Sequence, residues 1–116
     1  WDRRIVAVFQ PHLFTRTKQF YRQFADALQN ADVAIVTDIY PAREQKIAGV
    51  TSKLIYDKLS SDCSYLVPDL DDLIDKLDEV TQSGDMVITM GAGNIWRYCD
   101  FYVNHLKIIN NGVEVD

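Results

Sequence analysis

The feature that most constrains the fold is a recurrence of short, continuous apolar runs separated by stretches of helical periodicity. Runs rich in valine and isoleucine occupy residues 5–9, 33–36 and 86–90, and a weaker run occupies residues 64–67. Apolar runs that do not alternate with polar residues are typical of strands covered on both faces. The sequence therefore predicts a sheet buried between two layers.

The segments between the runs carry apolar residues at helical spacing, and polar residues fall mainly on the other faces. The order of strand and helix then repeats four times, which predicts an α/β single domain over residues 1–116: an open, mainly parallel, Rossmann-like sheet with helices on both faces. The tail, residues 107–116, contains an Asn-Asn-Gly turn and is expected to be a tail or a short edge strand. The apolar helical positions are Phe20, Phe24, Ala27, Leu28, Ala31, then Leu54, Ile55, Leu59, then Leu70, Leu73, Ile74, Leu77, Val80, and last Ile95, Tyr98, Tyr102, Leu106.

Composition excludes several function classes. The net charge of −5 and the lack of a Lys/Arg stripe argue against binding of nucleic acid through its phosphates. No apolar run approaches the roughly 20 residues that span a bilayer, so no membrane association is expected. Cys63 and Cys99 form no CxxC pair, which favours a reducing, cytoplasmic setting over a zinc or disulfide framework. The start of the chain, residues 1–4, enters a strand almost at once and indicates a piece of a larger protein.

Three unusual loops follow strands, and ligands of open parallel sheets bind outside the carboxyl ends of the strands. In the first loop, residues 10–17, Pro11 stops the strand and Thr15 or Thr17 is expected to cap the next helix. The positive end of that helix, together with Arg16, is a candidate anion site. From spacing alone, His12 and Arg16 fit either that role or an ordinary structural and surface role.

The second and third loops also offer polar groups. Residues 38–44, DIYPARE, place Asp38 at a strand end and an exposed Arg43-Glu44 pair in a long connection, which suits either function or a surface turn. Residues 91–94, GAGN, have two glycines that let a ligand approach the backbone, although tight packing of strand on helix explains them equally well. Asn94 also fits a simple N-cap, and Asp69 is expected to cap the helix that begins near residue 70.

Taken together, VFQPHLFTRT, DIYPARE and ITMGAGNIW resemble the carboxy-terminal domain of the Mur ligases of bacterial peptidoglycan synthesis, over residues 3–106. The resemblance implies a three-domain, ATP-dependent ligase that joins L-alanine to UDP-N-acetylmuramate. The amino-terminal domain would hold the UDP-sugar and the central domain would bind ATP and magnesium. This third domain would close over the site and present the amino acid. Because the chain has no GxxxxGKS/T loop, we expect it to hold no cofactor and to be inactive alone.

Carried over onto this sequence, the resemblance implies that His12 and Arg16 face the active site, with Arg16 on the carboxylate of the incoming alanine. The resemblance also implies a second arginine directly after the histidine, as in many members, where this chain has Leu13. Arg43 is the candidate substitute, and its alternative is a structural pair with Glu44. Asp38 is expected either to bind the substrate or to pair with Arg16 or Arg43 and so orient that arginine.

The third loop completes the expected pocket, because Gly91, Gly93 and Asn94 would line it. Two other interpretations remain open. One is a free-standing Rossmann-like module that binds an anion or a partner without chemistry. The other is the matching domain of a ligase fused to another enzyme.

Overall fold

Four parallel strands form one open sheet in the computed structural model, which describes residues 3–60, 62–91 and 93–114, with side chains through Ile109. Across the sheet lie, in order, the third, second, first and fourth strands of the chain. In the register, Ile5 lies beside Met86, and Val6 lies beside Val33. The parallel α/β sheet predicted from the apolar runs is confirmed. The strands are β1 (Ile5–Phe9), β2 (Val33–Thr37), β3 (Ser64–Val67) and β4 (Met86–Met90).

Helices pack on both faces of the sheet, as predicted, but the expectation that residues 86–90 are covered on both faces is wrong: β4 lies at the edge of the sheet, and its Ile88 and Met90 side chains are exposed. On one face, Val8 and Ile35 pack with Leu73 and Leu77 of the third helix and with Ile95 of the fourth. On the opposite face, alanine and valine side chains of β1 and β2 pack against the first two helices. The two layers account for the uninterrupted burial of β2. The helices are α1 (Phe14–Leu28), α2 (Lys53–Tyr56), α3 (Leu73–Val80), which follows a 3-10 turn (Leu70–Asp72), and α4 (Ile95–Glu114).

Two predictions about helices need correction. The edge strand expected in residues 107–116 is wrong for residues 107–114, which continue α4, while residues 115–116 lie outside the described residues. Once a helix has formed, each further residue adds a hydrogen bond at little cost, and this outweighs the local turn signal. In α1 the buried face includes Ala25, whereas Ala27, predicted to be apolar core, is exposed.

The chain order of the strands defines where a ligand can enter. From β1 the chain moves outward to β2 and β3, and it then returns to place β4 on the other side of β1. Adjacent strands whose connections run in opposite directions leave a crevice at their carboxyl ends. The crevice here lies between the segments that follow β1 and β4.

Candidate functional site

A cleft of about 500 Å³ opens at the carboxyl edge of the sheet. Segments that follow all four strands contribute to its walls, so it stands where the fold predicts a ligand site. Its polar lining includes Gln10 after β1, Asp38 and Tyr40 after β2, Asp69 and Asp71 after β3, and Asn94 and Tyr98 from the start of α4. Two predicted site residues, Asp38 and Asn94, therefore share this cleft.

Gln10 joins the two sides of the crevice. Its side chain is 3% exposed, and its Nε2 donates a hydrogen bond of 2.8 Å to Oδ1 of Asn94. Its Oε1 accepts from the backbone N–H of Ile95 at 3.2 Å, so Gln10 supplies an acceptor to the first turn of α4. The Asn94 side chain is thus bound to Gln10. The sequence suggests Asn94 as the N-cap of α4, but the side-chain oxygen that accepts from the first turn of α4 belongs to Gln10, after the neighbouring strand β1.

The two glycines of the third loop lie close to this amide network. A Cβ added at Gly93 would stand 2.6 Å from Cδ2 of Tyr40 and 2.8 Å from Oε1 of Gln10. A Cβ at Gly91 would meet Gln10 and Ile95 at 3.0 Å. Tight packing therefore accounts for both glycines, and it brings the Tyr40 ring against the third loop.

Tyr40 also connects the second loop with the first. Its backbone N–H donates to the Pro11 carbonyl at 2.8 Å, and its carbonyl accepts from the Leu13 N–H at 2.9 Å. These two bonds form an isolated parallel bridge between Tyr40 and His12, whose rings stack with centroids 6.1 Å apart. The bridge extends the pairing of β1 and β2 past the strand ends and fixes where His12 lies.

Glu44 occupies the amino-terminal end of α1. Its Oε1 accepts from the backbone N–H groups of Phe14 at 2.6 Å and Thr15 at 3.2 Å, and its Oε2 accepts from the Thr15 hydroxyl at 2.6 Å. The Thr15 hydroxyl, helped by the two amides and by nearby His12, lowers the pKa of the Glu44 carboxyl below its usual value. A carboxylate at this position is favoured because the first amides of a helix lack internal partners.

The prediction of a threonine cap on α1 is wrong. Leu13 is the residue at the cap, its side chain provides no cap hydrogen bond, and the acceptor comes from Glu44 instead. The Thr17 hydroxyl donates to the Leu13 carbonyl at 2.9 Å, which leaves it no role as a cap acceptor. The predicted anion site at this helix end is also filled, because the carboxylate of the chain itself is bound there.

The two candidate arginines are not among the residues that line the cleft. Arg16 is on the first turn of α1, and Arg43 directly precedes Glu44; both side chains are exposed. Among the side chains of residues 3–60, 62–91 and 93–109, neither arginine forms an ion pair. The alternative, an ion pair of Arg43 with Glu44, is therefore not formed, and Asp38 forms no ion pair with either arginine. A role for these side chains in binding stays a prediction.

Leu13 holds an unusual backbone conformation with φ 71° and ψ 141°. Positive φ is uncommon for residues with a Cβ and is often found at functional sites. Both backbone polar groups of Leu13 are bonded, the N–H to Tyr40 and the carbonyl to the N–H and hydroxyl of Thr17. The backbone at this position is thus fixed from two sides.

Several residues of the site were missed from the sequence. Gln10 and Tyr40 lie inside the first and second loops. No spacing rule indicates the hydrogen bond of Gln10 with Asn94 or the packing of the Tyr40 ring on Gly93. Tyr98, expected only to pack within its helix, lines the cleft and donates to Asp71 at 3.2 Å, while burial raises the pKa of its phenol.

The described part of the chain has no group of three or more His, Cys, Asp or Glu side chains that would hold a metal ion. Among the same residues, no helix combines the length and the apolar character needed to cross a membrane.

Comparison with known proteins adds a family match. The family model described as Mur ligase, glutamate ligase domain, matches residues 1–93. Relatives named UDP-N-acetylmuramate–L-alanine ligase include those of Geotalea uraniireducens, 41% identical over 92% of this chain and 24% of that protein, and Phocaeicola vulgatus, 48% identical over 84% and 21%. The protein of that name from Cutibacterium acnes is 50% identical over 79% of this chain and 20% of its own length. The chain thus spans about a fifth to a quarter of these relatives.

Proposed function

This chain belongs to the Mur ligase family, and we propose that it is the amino-acid-presenting, carboxy-terminal domain of an ATP-dependent ligase that joins L-alanine to UDP-N-acetylmuramate. One observation carries the proposal. The family match over residues 1–93 includes the first two loops and reaches into the third, and these are the loops that converge at the carboxyl edge of the sheet.

In this proposal Arg16 and Arg43 bind the carboxylate of the incoming alanine. A guanidinium binds a planar carboxylate through two parallel hydrogen bonds, which fixes the direction from which the amine attacks. Both side chains are exposed and neither is engaged in an ion pair within the described residues, so both are available to a ligand. Arg43 would take the place of the arginine that is missing at Leu13, and His12 would lie near the amino acid or the phosphate.

The cleft residues have a second role in the proposal. Asp38 and Asn94 would contact the substrate within the cleft. Gly91 and Gly93 would let the third loop pack closely against Gln10 and Tyr40. ATP, magnesium and the UDP-sugar would be held mainly by the amino-terminal and central domains. The enzyme would work in the cytoplasm, and closure of this domain would complete its site.

The test is a ligase assay on the full-length protein that carries this chain. We expect release of phosphate from ATP to require both UDP-N-acetylmuramate and L-alanine, and omission of either should abolish it. Phosphate release that ignores the two substrates, or none at all under conditions where the protein is folded, would refute the proposal and favour a binding module without chemistry.

The role of Arg43 has its own test. Arg43→Ala should raise the KM for L-alanine by about tenfold or more, since a charge-assisted hydrogen bond contributes roughly 1.5–3 kcal/mol, while the KM for ATP changes much less. Arg22→Ala, an exposed arginine further along α1, is the matched control and should leave both constants unchanged. An unchanged KM for L-alanine in Arg43→Ala would remove Arg43 from the site.

A further inference from the structure

The loop that follows β2 is attached to the start of α1 by three independent contacts. The Tyr40 backbone pairs with the segment around His12, and the Glu44 carboxylate caps α1. Beneath them, Phe14, Ile39 and Val50 form a small core of their own, separate from the two sheet faces. The first and second loops therefore behave as one structural unit.

This unit holds two residues in a backbone conformation that side chains rarely adopt. Leu13 has φ 71° and lies immediately before α1, and Ala42 has φ 53° in the turn that the Glu44 N–H closes onto the Pro41 carbonyl at 2.9 Å. Such residues persist only where their surroundings fix them. The Glu44 side chain bonds to the two residues after Leu13, and the Glu44 backbone closes the turn around Ala42, so Glu44 restrains both positions.

We propose that Glu44 is a positioning residue, whose carboxylate holds the loop that carries Arg43 against the first turn of the helix that carries Arg16. The two arginines would then present their guanidinium groups at one edge of the domain. The effect on binding of the amino acid rests on the proposed function, whereas the hydrogen bonds of Glu44 with Phe14 and Thr15 are present in the structure. A carboxylate is suited to this task because it accepts from two amides and a hydroxyl at once.

A cap that only stabilised α1 would have a different signature. Its loss would lower the fraction of folded, active enzyme and so kcat, and it would not raise the KM for L-alanine more than the KM for ATP. Loss of a positioning residue instead disturbs the ligand that the positioned groups bind. Glu44→Ala in the full-length protein is therefore expected to raise the KM for L-alanine about tenfold and to leave the KM for ATP within about twofold.

Conservative variants make the test sharper. Glu44→Gln keeps an oxygen for the two amides and a donor for the Thr15 hydroxyl, so it should recover a large part of the affinity for L-alanine. Thr15→Val removes the hydroxyl from the same contact and should raise the same KM to a smaller extent. Glu79→Gln is the matched control, because the Glu79 carboxylate lies exposed on α3 in a pair with Lys76; it should leave both constants unchanged.

Hydrogen exchange provides a readout that needs no activity. In the full-length protein, a peptide containing residues 13–17 should exchange faster in Glu44→Ala than in the wild type, and Glu79→Gln should match the wild type. Unchanged exchange would overturn the contact. If exchange rises but the KM values for L-alanine and ATP shift equally, Glu44 is only a structural cap and the positioning role is wrong. If the wild type is no ligase, the proposed function fails while the exchange result still decides the contact.

Discussion

Gly93 allows a quantitative prediction, because the space for a larger residue is already occupied. An added Cβ would lie 2.6 Å from Cδ2 of Tyr40 and 2.8 Å from Oε1 of Gln10, whereas ordinary van der Waals contact begins at 3.4 Å. Gln10 is held by Asn94, and Tyr40 is held by two backbone hydrogen bonds, so neither neighbour moves freely. Overpacking of this kind costs about 1–3 kcal/mol, and we expect Gly93→Ala to lower the free energy of unfolding by that amount.

A double-mutant cycle isolates the contribution of the Tyr40 ring. In a Tyr40→Ala background the ring is gone, and of the three nearest atoms only the Gln10 oxygen remains, so Gly93→Ala should cost less. The coupling energy should be about 0.5–3 kcal/mol, with the double variant more stable than the sum of the single changes predicts. Gly84→Ala is the matched control, since its Cβ would meet nothing within 4 Å and its cost arises from a backbone φ of +92°.

The assay is equilibrium urea denaturation of the variants followed by circular dichroism, with the denaturant slope checked for constancy. Gly84→Ala should show no coupling with Tyr40→Ala. If Gly93→Ala lowers the free energy of unfolding by less than about 0.5 kcal/mol, or by equal amounts in both backgrounds, the close packing of the third loop on Tyr40 is refuted.

Two further predictions concern the core and the pH dependence of stability. Ile35→Ala, in a fully buried residue of β2, should cost about 2–5 kcal/mol by the same denaturation assay, and a loss below that range would contradict the two-sided core. The hydrogen bonds from Arg4, and then that from the Gln82 N–H, lower the pKa of the Asp85 carboxyl from its ordinary 3.8. The folded state therefore binds the proton less readily than the unfolded state, and this stabilisation is present above pH 3.8 and lost as the pH falls through the folded pKa. Asp85→Asn should flatten the fall of the urea midpoint between neutral and acidic pH, and an equally steep fall would refute the assignment.

The fold could be predicted because its signals are local. The apolar run at residues 33–36 shows in the sequence that a strand is covered on both faces, and the structure buries every residue of β2. Asp69, predicted as a cap, accepts from the Asp71 N–H at 2.9 Å. The edge strand predicted for the tail is wrong because the Asn-Asn-Gly turn signal is local, whereas the continuation of α4 depends on the helix that precedes it.

The sequence could predict which loops form the site, but not the contacts that join them. Parallel strands place their carboxyl ends at one edge, so the loops at Gln10, Asp38 and Gly91 had to meet. The bonds that organise them join residues far apart in sequence, such as Gln10 with Asn94 and Glu44 with Phe14. Sequence proximity suggested Arg43 as the partner of Glu44, but three donors at a helix start satisfy a carboxylate better than an exposed ion pair does.

The position of Glu44 also bears on how the proposed site would bind a carboxylate. Because Glu44 fills the amino-terminal end of α1, that helix end is not free to bind the carboxylate of a substrate. In the proposed function the amino acid would therefore be bound by side chains, and Arg16 and Arg43 are exposed guanidinium groups of the first two loops. The contact that closes the helix end also holds the residue after Arg43 at the start of α1, which favours Arg43 as the proposed substitute for the arginine that the resemblance implies at residue 13.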